Sequence, residues 1–208
     1  MNKKGIALRF EDIRVAEISE FGKPFDTLEL RHAGESKDVP TVIDVLFFEP
    51  TPAEQHPEED WYTYLLTCGL ATRALPGAVE LIELVMSVRK RVPREGRHRL
   101  ARRLAELGTI PFRDQFEVHS EMVLEKVSLP LFERMDHVVL SLYGGGEYLP
   151  TNPPVALLDV TPVFASEAEQ IRKMSVHEAF YRFAKAGIKR DNPDRKEVDL
   201  ASLPPSST

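Results

Sequence analysis

Cys68 is the only cysteine in the 208-residue chain, and its thiol is the first side chain that could act as a nucleophile. It lies in the segment Thr67-Cys68-Gly69, at the end of an apolar run. Nucleophilic catalysis requires a thiolate, which needs a nearby histidine or a helix N-terminus. No G-x-S-x-G type elbow is present, and the Leu-Ala-Thr-Arg that follows Gly69 does not predict a helix. We therefore expect Cys68 to be a small buried residue without catalytic function.

Histidines are the other side chains suited to acid–base catalysis or metal binding near neutral pH. The chain has six, at His32, His56, His98, His119, His137 and His177. None belongs to an H-x-H or H-E-x-x-H pattern, so the sequence predicts no metal site and no cofactor. A histidine site assembled across the fold remains open, and one such alternative is a hydrolase with a dispersed site. Its members would be His119 or His137 together with Glu121 or Asp136.

The glycine triplet at residues 144–146 shares only its composition with a phosphate-binding loop. It lacks the G-x-x-x-x-G-K-[ST] pattern, and no helix is predicted behind it to present an N-terminus to a phosphate. We expect a flexible loop between two strands.

A basic run is the strongest candidate for a binding surface: Arg89, Lys90, Arg91, Arg94, Arg97, Arg99, Arg102 and Arg103. One interpretation is a solvated helix face, supported by the i,i+4 pairs Glu95–Arg99 and Arg102–Glu106. Another is a patch that docks an acidic partner, because guanidinium groups pair well with carboxylates. A third is an anion- or nucleic-acid-binding regulator that uses residues 89–103, although the net charge of -6 disfavours general binding to nucleic acid.

The loop at residues 49–61 is acidic, rich in proline and ends at the only tryptophan, Trp61. It could bind a basic partner, with Trp61 either anchoring an interface or covering the core. The candidate partner-binding residues are therefore Trp61, Glu58, Glu59, Asp60, Arg94, Arg97, Arg99, Arg102 and Arg103.

The composition, with 42% hydrophobic and 29% charged residues, is typical of a soluble globular protein. The basic residues at the start are not followed by a long apolar core, so we expect no signal peptide. No apolar run approaches the roughly 20 residues that span a bilayer. One cysteine cannot form an internal disulfide, which fits a reducing compartment. These features predict a cytoplasmic protein that does not associate with membranes.

Hydrophobic periodicity predicts an α+β (mixed α/β) protein, in which helices pack on a central, mostly antiparallel or mixed β-sheet. The predicted strands cover residues 27–31, 42–48, 62–67, 79–88, 116–127, 137–143 and 155–164. Two longer helices are predicted at residues 8–20 and 94–108, the second ending at Gly108. Two short helices would begin with the capping boxes Ser166–Glu169 and Ser175–Glu178. We expect one domain, residues 1–195, and a disordered C-terminal tail, residues 196–208.

Several strand and turn segments together resemble the suppressor of fused (SUFU) family over residues 10–195. The matching segments are Phe21-Gly22, Ile43-Asp44-Val45 followed by Pro50, Tyr64-Leu65-Leu66-Thr67-Cys68-Gly69-Leu70-Ala71, Glu80-Leu81 with Glu83-Leu84, and Leu157-Leu158-Asp159-Val160-Thr161-Pro162 with Ser166-Glu167-Ala168-Glu169. Each segment is short, and their order gives the match its weight. The chain looks like a small, bacterial-type, single-domain member.

The resemblance implies a SUFU-like domain that binds other proteins and has no catalytic site, with Thr67-Cys68-Gly69 as a structural strand end. Large animal members of the family sequester a transcription factor by clamping an extended peptide between two domains. Short bacterial members are often proposed as immunity proteins that neutralise a cognate toxin. We therefore expect a protein-binding module whose partner could be a toxin domain.

Overall fold

A mixed β-sheet forms the centre of the computed structural model, which describes residues 8–31, 38–49, 62–75, 80–145 and 148–205. Within those ranges the strands lie in the spatial order β1-β2-β3-β4-β8-β6-β5, and β7 pairs with β8. Their bounds are β1 Asp26–Arg31, β2 Val42–Phe48, β3 Thr63–Cys68, β4 Leu81–Val88, β5 Val123–Glu125, β6 His137–Leu142, β7 Tyr148–Leu149 and β8 Val155–Val163. The β4–β8 pair is parallel and the others are antiparallel. The predicted α+β fold class is confirmed.

Helices cover both faces of the sheet. Their bounds are α1 Phe10–Phe21, α2 Arg94–Asp114, α3 Ala165–Lys173 and α4 Val176–Lys185. On one face, α2 packs over the largest apolar cluster, to which it contributes Leu100 and Leu104. On the opposite face, α1 packs in a second cluster and α3–α4 in a third. This second face is therefore divided between two separate sets of helices.

The side chains of β8 show why its sequence is almost continuously apolar. Ala156, Leu158 and Val160 belong to the cluster under α2, whereas Leu157 faces α1 on the other side. Val163, further along that same side, packs with α3 and α4. Because neighbouring side chains of a strand point to opposite faces, a strand covered on both sides needs apolar residues at nearly every position.

Helix α2 does not end at Gly108, as the sequence predicted, but continues to Asp114. Gly108 lies inside the helix, and Leu70 packs against it. With Leu70 in this place, a side chain is excluded at position 108 because a Cβ on Gly108 would be 2.6 Å from a Leu70 methyl carbon. The helix ends instead at Gln115, which adopts a left-handed conformation with a φ of 55°. No helix in the described ranges, α2 included, is both long and apolar enough to cross a membrane.

The strand predicted at residues 116–127 is also wrong in extent, because only Val123–Glu125 pairs with β6. Glu121 and Lys126 flank the pairing residues with φ values of 69° and 56°. A positive φ is incompatible with extended backbone, so these two residues limit the edge strand to three residues.

The start of α3 differs from the predicted Ser166–Glu169 capping box. The helix begins two residues earlier than that box requires, with Phe164 as the N-cap in place of Ser166. The Glu167 carboxylate accepts a hydrogen bond from the Phe164 backbone N–H at 3.0 Å. Ser166 lies inside the first turn, and its hydroxyl contacts the Glu197 carboxylate. Glu167 therefore has the capping function that the sequence analysis assigned to Glu169.

The start of α4 matches the prediction. The Ser175 hydroxyl accepts a hydrogen bond from the Glu178 backbone N–H at 3.1 Å. Ala179 and Phe183 are buried on the inner face of the helix, where they pack with β6 and β8. Gly187 follows the helix with a φ of 69°.

A buried ion pair connects the segment after α4 to the rest of the fold. Arg195 donates to both carboxylate oxygens of Glu167, at 2.6 and 2.7 Å, and the two side chains are 4% and 0% exposed. Glu167 also accepts the Val198 N–H at 3.0 Å, and Arg195 donates to the Pro162 carbonyl at 3.2 Å. The pair thus joins α3, the end of β8 and the C-terminal segment.

The residues just beyond position 195, expected to form a disordered tail, have a defined arrangement in this structure. Leu200–Ser202 forms a 3-10 turn, and the Leu200 side chain is fully buried in the cluster with α3 and α4. The division into one domain at residues 1–195 and a tail remains a prediction, but the burial of Leu200 extends the packed structure beyond that boundary.

Replacing Arg195 tests the importance of the ion pair. We expect Arg195→Gln to lower the free energy of unfolding by about 3–5 kcal/mol, because it leaves the Glu167 carboxylate buried without its counter-charge. Lys196→Gln removes a positive charge from the exposed neighbouring residue and should change stability by less than about 0.5 kcal/mol. Urea unfolding followed by circular dichroism measures both. Equal stabilities for the two variants would contradict the prediction.

Gly69 offers a second test, since both its backbone and its surroundings require glycine. Its φ is 127°, and a Cβ would lie 2.6 Å from the Val42 carbonyl oxygen. We expect Gly69→Ala to cost roughly 3 kcal/mol or more, from backbone strain and the clash together. Gly187→Ala is the matched control: its φ is positive, but nothing lies within 4 Å, so strain alone should cost roughly 1–2 kcal/mol. Thermal unfolding that ranks Gly187→Ala as the less stable variant would refute this account.

Candidate functional site

Three of the candidate arginines lie on the exposed face of α2 without partners. Arg94, Arg99 and Arg102 are all exposed. In the part of the chain that the structure describes, their guanidinium groups make no hydrogen bond and no ion pair. We call these three residues the arginine face of α2.

The other two candidate arginines of α2 are bound within the protein. Arg97 forms an ion pair with Asp26 at 3.0 Å, and its guanidinium lies over the Phe25 ring, 4.9 Å from the centroid. Arg103 donates to the Ser128 carbonyl at 3.0 Å and pairs with Glu106 at 3.1 Å. These two side chains attach the helix to its surroundings, whereas the arginine face points to solvent.

The glutamate pairs expected to neutralise the helix are not formed. Among the described residues, Glu95–Arg99 and Arg102–Glu106 are both absent. The Glu106 carboxylate pairs instead with Arg103, the residue next to its predicted partner Arg102. Glu95 and Arg99 are both exposed, and an ion pair between exposed side chains contributes little to the free energy of folding. The arginine face therefore lacks the two ion pairs that supported its interpretation as a solvated helix face.

The remaining candidates, Trp61, Glu58, Glu59 and Asp60, are outside the residues that the structure describes, so their assignment stays a prediction.

Cys68 is completely buried, as expected, at the interface between α1 and the sheet. Glu17 of α1 and Glu83 of β4 are also 0% exposed. Glu83 accepts hydrogen bonds from the Thr67 hydroxyl at 2.7 Å and from the backbone N–H groups of Gly69 and Ala71 at 2.8 and 3.0 Å. These donors hold the end of β3 and the following turn in place, which confirms a structural strand end.

Burial dominates the ionisation of this cluster. It raises the pKa of the Cys68 thiol far above its usual value, and the Glu17 and Glu83 carboxylates add to the effect. Burial also raises the pKa of Glu83 to about 8. It raises the pKa of Glu17 as well, and the nearby Glu83 charge adds to that shift. The three side chains are fully buried and form an internal cluster.

Glu17 is the least satisfied member, because neither of its buried carboxyl oxygens has a hydrogen-bond partner among the described residues. Nearby, Asp44 is 3% exposed and pairs with Arg14 of α1 at 2.7 Å. Burial raises the pKa of Asp44, and the Arg14 charge opposes that shift. Several acidic groups thus share the α1 interface with one guanidinium.

The dispersed hydrolase receives no support from the positions of its members. His119 contacts the Ser120 carbonyl through Nδ1 at 2.7 Å, and His137 contacts the adjacent Asp136 at 2.8 Å. Throughout the described ranges, no group of three or more His, Cys, Asp or Glu side chains could hold a metal ion.

The sequence analysis missed a groove on the second face of the sheet, between α1 and α3–α4. Its floor contains Asp159 and Thr161 of β8, which lie between Leu157 under α1 and Val163 under α3–α4. Ser87 of β4 completes the floor. Because the helices leave this strip uncovered, the strands carry polar side chains there. We call this feature the sheet-face groove.

Two adjoining pockets, of about 330 and 640 Å³, make up the groove. Tyr62, Ser87, Asp159, Arg190 and Asp191 line both of them. The segment after α4 supplies the wall that contains Arg190. Single polar residues within apolar strands, Tyr64, Ser87, Ser141 and Asp159, were the sequence signal. The sequence does not show that these residues become neighbours, because that depends on the order of the strands in the sheet.

The buried carboxyl groups predict how stability changes with pH. The folded pKa values of Glu17 and Glu83 lie above the ordinary value of 4.5, so only the unfolded chain ionises freely above that pH. The free energy of unfolding should therefore fall as the pH rises from about 5 to 8, by up to roughly 1.4 kcal/mol per pH unit and group. Glu17→Gln, which stays neutral, should reduce this slope and be more stable than the native chain at pH 8.

Glu20→Gln, on the exposed side of the same helix, is the control and should leave the slope unchanged. Urea unfolding at several pH values measures the slopes. A Glu17→Gln variant with the native slope would show that Glu17 stays ionised in the folded protein.

Comparison with solved structures identifies the fold. The structure titled as a Sufu–Fu complex matches with a TM-score of 0.59 and 13% identity, over 92% of this chain and 90% of the other. A putative SUFU homologue from Neisseria gonorrhoeae matches with a TM-score of 0.59 and 17% sequence identity. The match covers 90% of this chain and 94% of the homologue. Drosophila Suppressor of Fused matches with a TM-score of 0.59 and 13% sequence identity, and 92% of this chain corresponds to 50% of that protein.

Neither sequence models of protein families nor curated protein sequences match the chain. At these identities the structural likeness concerns the fold. The topology and the length of the match agree with the resemblance noted in the strand and turn segments. The chain therefore has the suppressor of fused fold, and 90% of it corresponds to 94% of the homologue from Neisseria gonorrhoeae.

Proposed function

We propose that this chain is a non-catalytic protein-binding module that docks an acidic partner on the arginine face of α2. The observation that carries the proposal is the lack of any partner for Arg94, Arg99 and Arg102 in the described part of the chain. Their charges are exposed on a protein whose net charge is -6. A local positive field on an acidic protein favours the approach of an acidic surface in one orientation.

The rigidity of α2 supports this role. Its inner face is buried through Leu100 and Leu104, and Arg97 and Arg103 are bound on its flanks. The three free guanidinium groups therefore extend from a fixed backbone. A partner loses less conformational entropy on a fixed surface than on a flexible loop. Arginine also suits the role, because its planar group can bind a carboxylate with two parallel hydrogen bonds.

The shared fold supports a protein as the partner. One of the similar structures, by its title, contains Sufu in complex with Fu. We infer that the present chain also acts by binding a protein.

The finer assignment is an immunity-type protein, in which the acidic partner is a toxin domain. Binding through a rigid charged face would block the toxin by steric and electrostatic occlusion. The small size of a single module is consistent with this function. The reducing compartment suggested by the single cysteine would be the place where the pair meets.

Charge reversal on α2 tests the docking surface. The tagged native chain first isolates its partner from the host at low salt, and the purified partner is then titrated by calorimetry. We expect Arg94→Glu, Arg99→Glu and Arg102→Glu together to raise the Kd at least about 100-fold, because three attractive contacts become repulsive. Affinity of the native chain should fall with rising salt.

A matched control changes the net charge equally at exposed sites away from α2, namely Lys173→Glu, Lys185→Glu and Lys196→Glu. It should retain near-native affinity. Equal effects of the two triple variants would mean that net charge alone matters. Capture of nucleic acid in place of a protein would support the anion-binding regulator and overturn our assignment.

A further inference from the structure

The smaller pocket of the sheet-face groove combines two unpaired, opposite charges. Its volume is about 330 Å³, and it lies between the floor of β4 and β8 and the segment that follows α4. Five charged side chains line it: Arg89, Asp159, Lys189, Arg190 and Asp191. Which of them are already neutralised decides what the pocket can bind.

Arg89 and Asp191 neutralise each other. Their side chains pair at 3.3 Å, and the Arg89 backbone N–H donates to the Asp191 carbonyl at 2.9 Å. Arg89 also lies over the Tyr62 ring, 4.3 Å from its centroid. With Arg89 and Asp191 paired and Lys189 exposed to solvent, Asp159 and Arg190 are the partly buried charges that remain to be satisfied.

Asp159 and Arg190 are close enough to influence each other but do not form an ion pair in the described part of the chain. The Asp159 carboxylate has one hydrogen bond, from the Thr161 hydroxyl at 3.0 Å. The Arg190 guanidinium lies 3.7 Å from the centroid of the Phe180 ring, and its Nη1 is buried without a hydrogen-bond partner. Both charged groups therefore retain unused hydrogen-bonding capacity at the pocket.

Leaving these two groups unpaired is unfavourable for the protein alone. Burial raises the pKa of Asp159 and lowers that of Arg190, which means that both charged forms are poorly solvated. A simple anion could bind Arg190 but would be repelled by Asp159. A simple cation would have the opposite difficulty. A ligand with one charge of each sign satisfies both groups at once.

An aromatic surface borders the same site. The Tyr62 and Tyr64 rings are stacked, with centroids 5.9 Å apart and an interplanar angle of 14°. Tyr62 lines the smaller pocket, and both tyrosines line the larger one beside it. Because Arg89 lies over Tyr62, an aromatic or aliphatic group would pack along the edges of the stacked pair.

We propose that the sheet-face groove binds a free α-amino acid with a large apolar side chain. Its carboxylate binds Arg190, its ammonium group binds Asp159, and its side chain packs against Tyr62 and Tyr64. The volume suits this class, since ligand pockets begin at roughly 300 Å³. The site lies on the sheet face opposite α2, so it is independent of the proposed docking surface.

Calorimetric titration with three related probes tests the assignment on the native chain. L-phenylalanine carries both charges, its methyl ester carries only the cation, and N-acetyl-L-phenylalanine carries only the anion. We expect saturable 1:1 binding of L-phenylalanine and at least 10-fold weaker binding of the other two. Equal affinity for the three probes, or no binding of L-phenylalanine at millimolar concentration, would overturn the proposal.

Two variants assign the ends of the ligand. Asp159→Asn should remove the preference for L-phenylalanine over its N-acetyl derivative, and Arg190→Gln should remove the preference over the methyl ester. Each should weaken L-phenylalanine binding at least 10-fold, while Lys196→Gln, away from the pocket, should leave it unchanged. If both variants fold and bind L-phenylalanine like the native chain, the groove is not the site. The titrations of the native chain remain decisive if a variant does not fold.

Discussion

The ion pair between Glu167 and Arg195 is the interaction on which the α3–α4 side of the second sheet face depends. It connects the first turn of α3 to a segment that follows α4, and backbone groups of Phe164, Val198 and Pro162 complete its hydrogen bonds. A charge buried at 0% exposure is tolerated only when such partners surround it. Through this pair the C-terminal segment stays against β8, and with it the wall of the sheet-face groove that contains Arg190.

The two faces of the sheet therefore serve different purposes. One is covered by α2, whose inner residues pack in the largest apolar cluster and whose outer residues form the arginine face. The other is shared by α1 and α3–α4, which leave a polar strip between them. Both proposed binding sites lie at the periphery, where packing does not determine the residue types. Cys68, Glu17 and Glu83 are fully buried and lie between α1 and the sheet.

Hydrophobic periodicity predicted the positions of elements whose apolar residues recur regularly and are buried, as in β2, β4 and β8. It was insufficient where a distant residue decides the local outcome. Gly108 looked like a helix end, but its lack of a side chain accommodates Leu70, which is remote in sequence. Spacing along α2 predicted an ion pair between Arg102 and Glu106, but Glu106 pairs with Arg103. The groove could not be predicted, because Ser87 and Asp159 become neighbours only through the order of the strands.

The single parallel ladder of the described sheet, between β4 and β8, joins two sets of antiparallel strands. Strands β1 to β4 follow one another in the chain and can pair through local hairpins, whereas β8 reaches β4 only after α2 and three further strands have been traversed. Closing so long a loop is entropically costly, and non-local pairing slows folding. The β4–β8 ladder is thus the least local pairing of the described sheet, and we expect it to be the last ladder to form during folding.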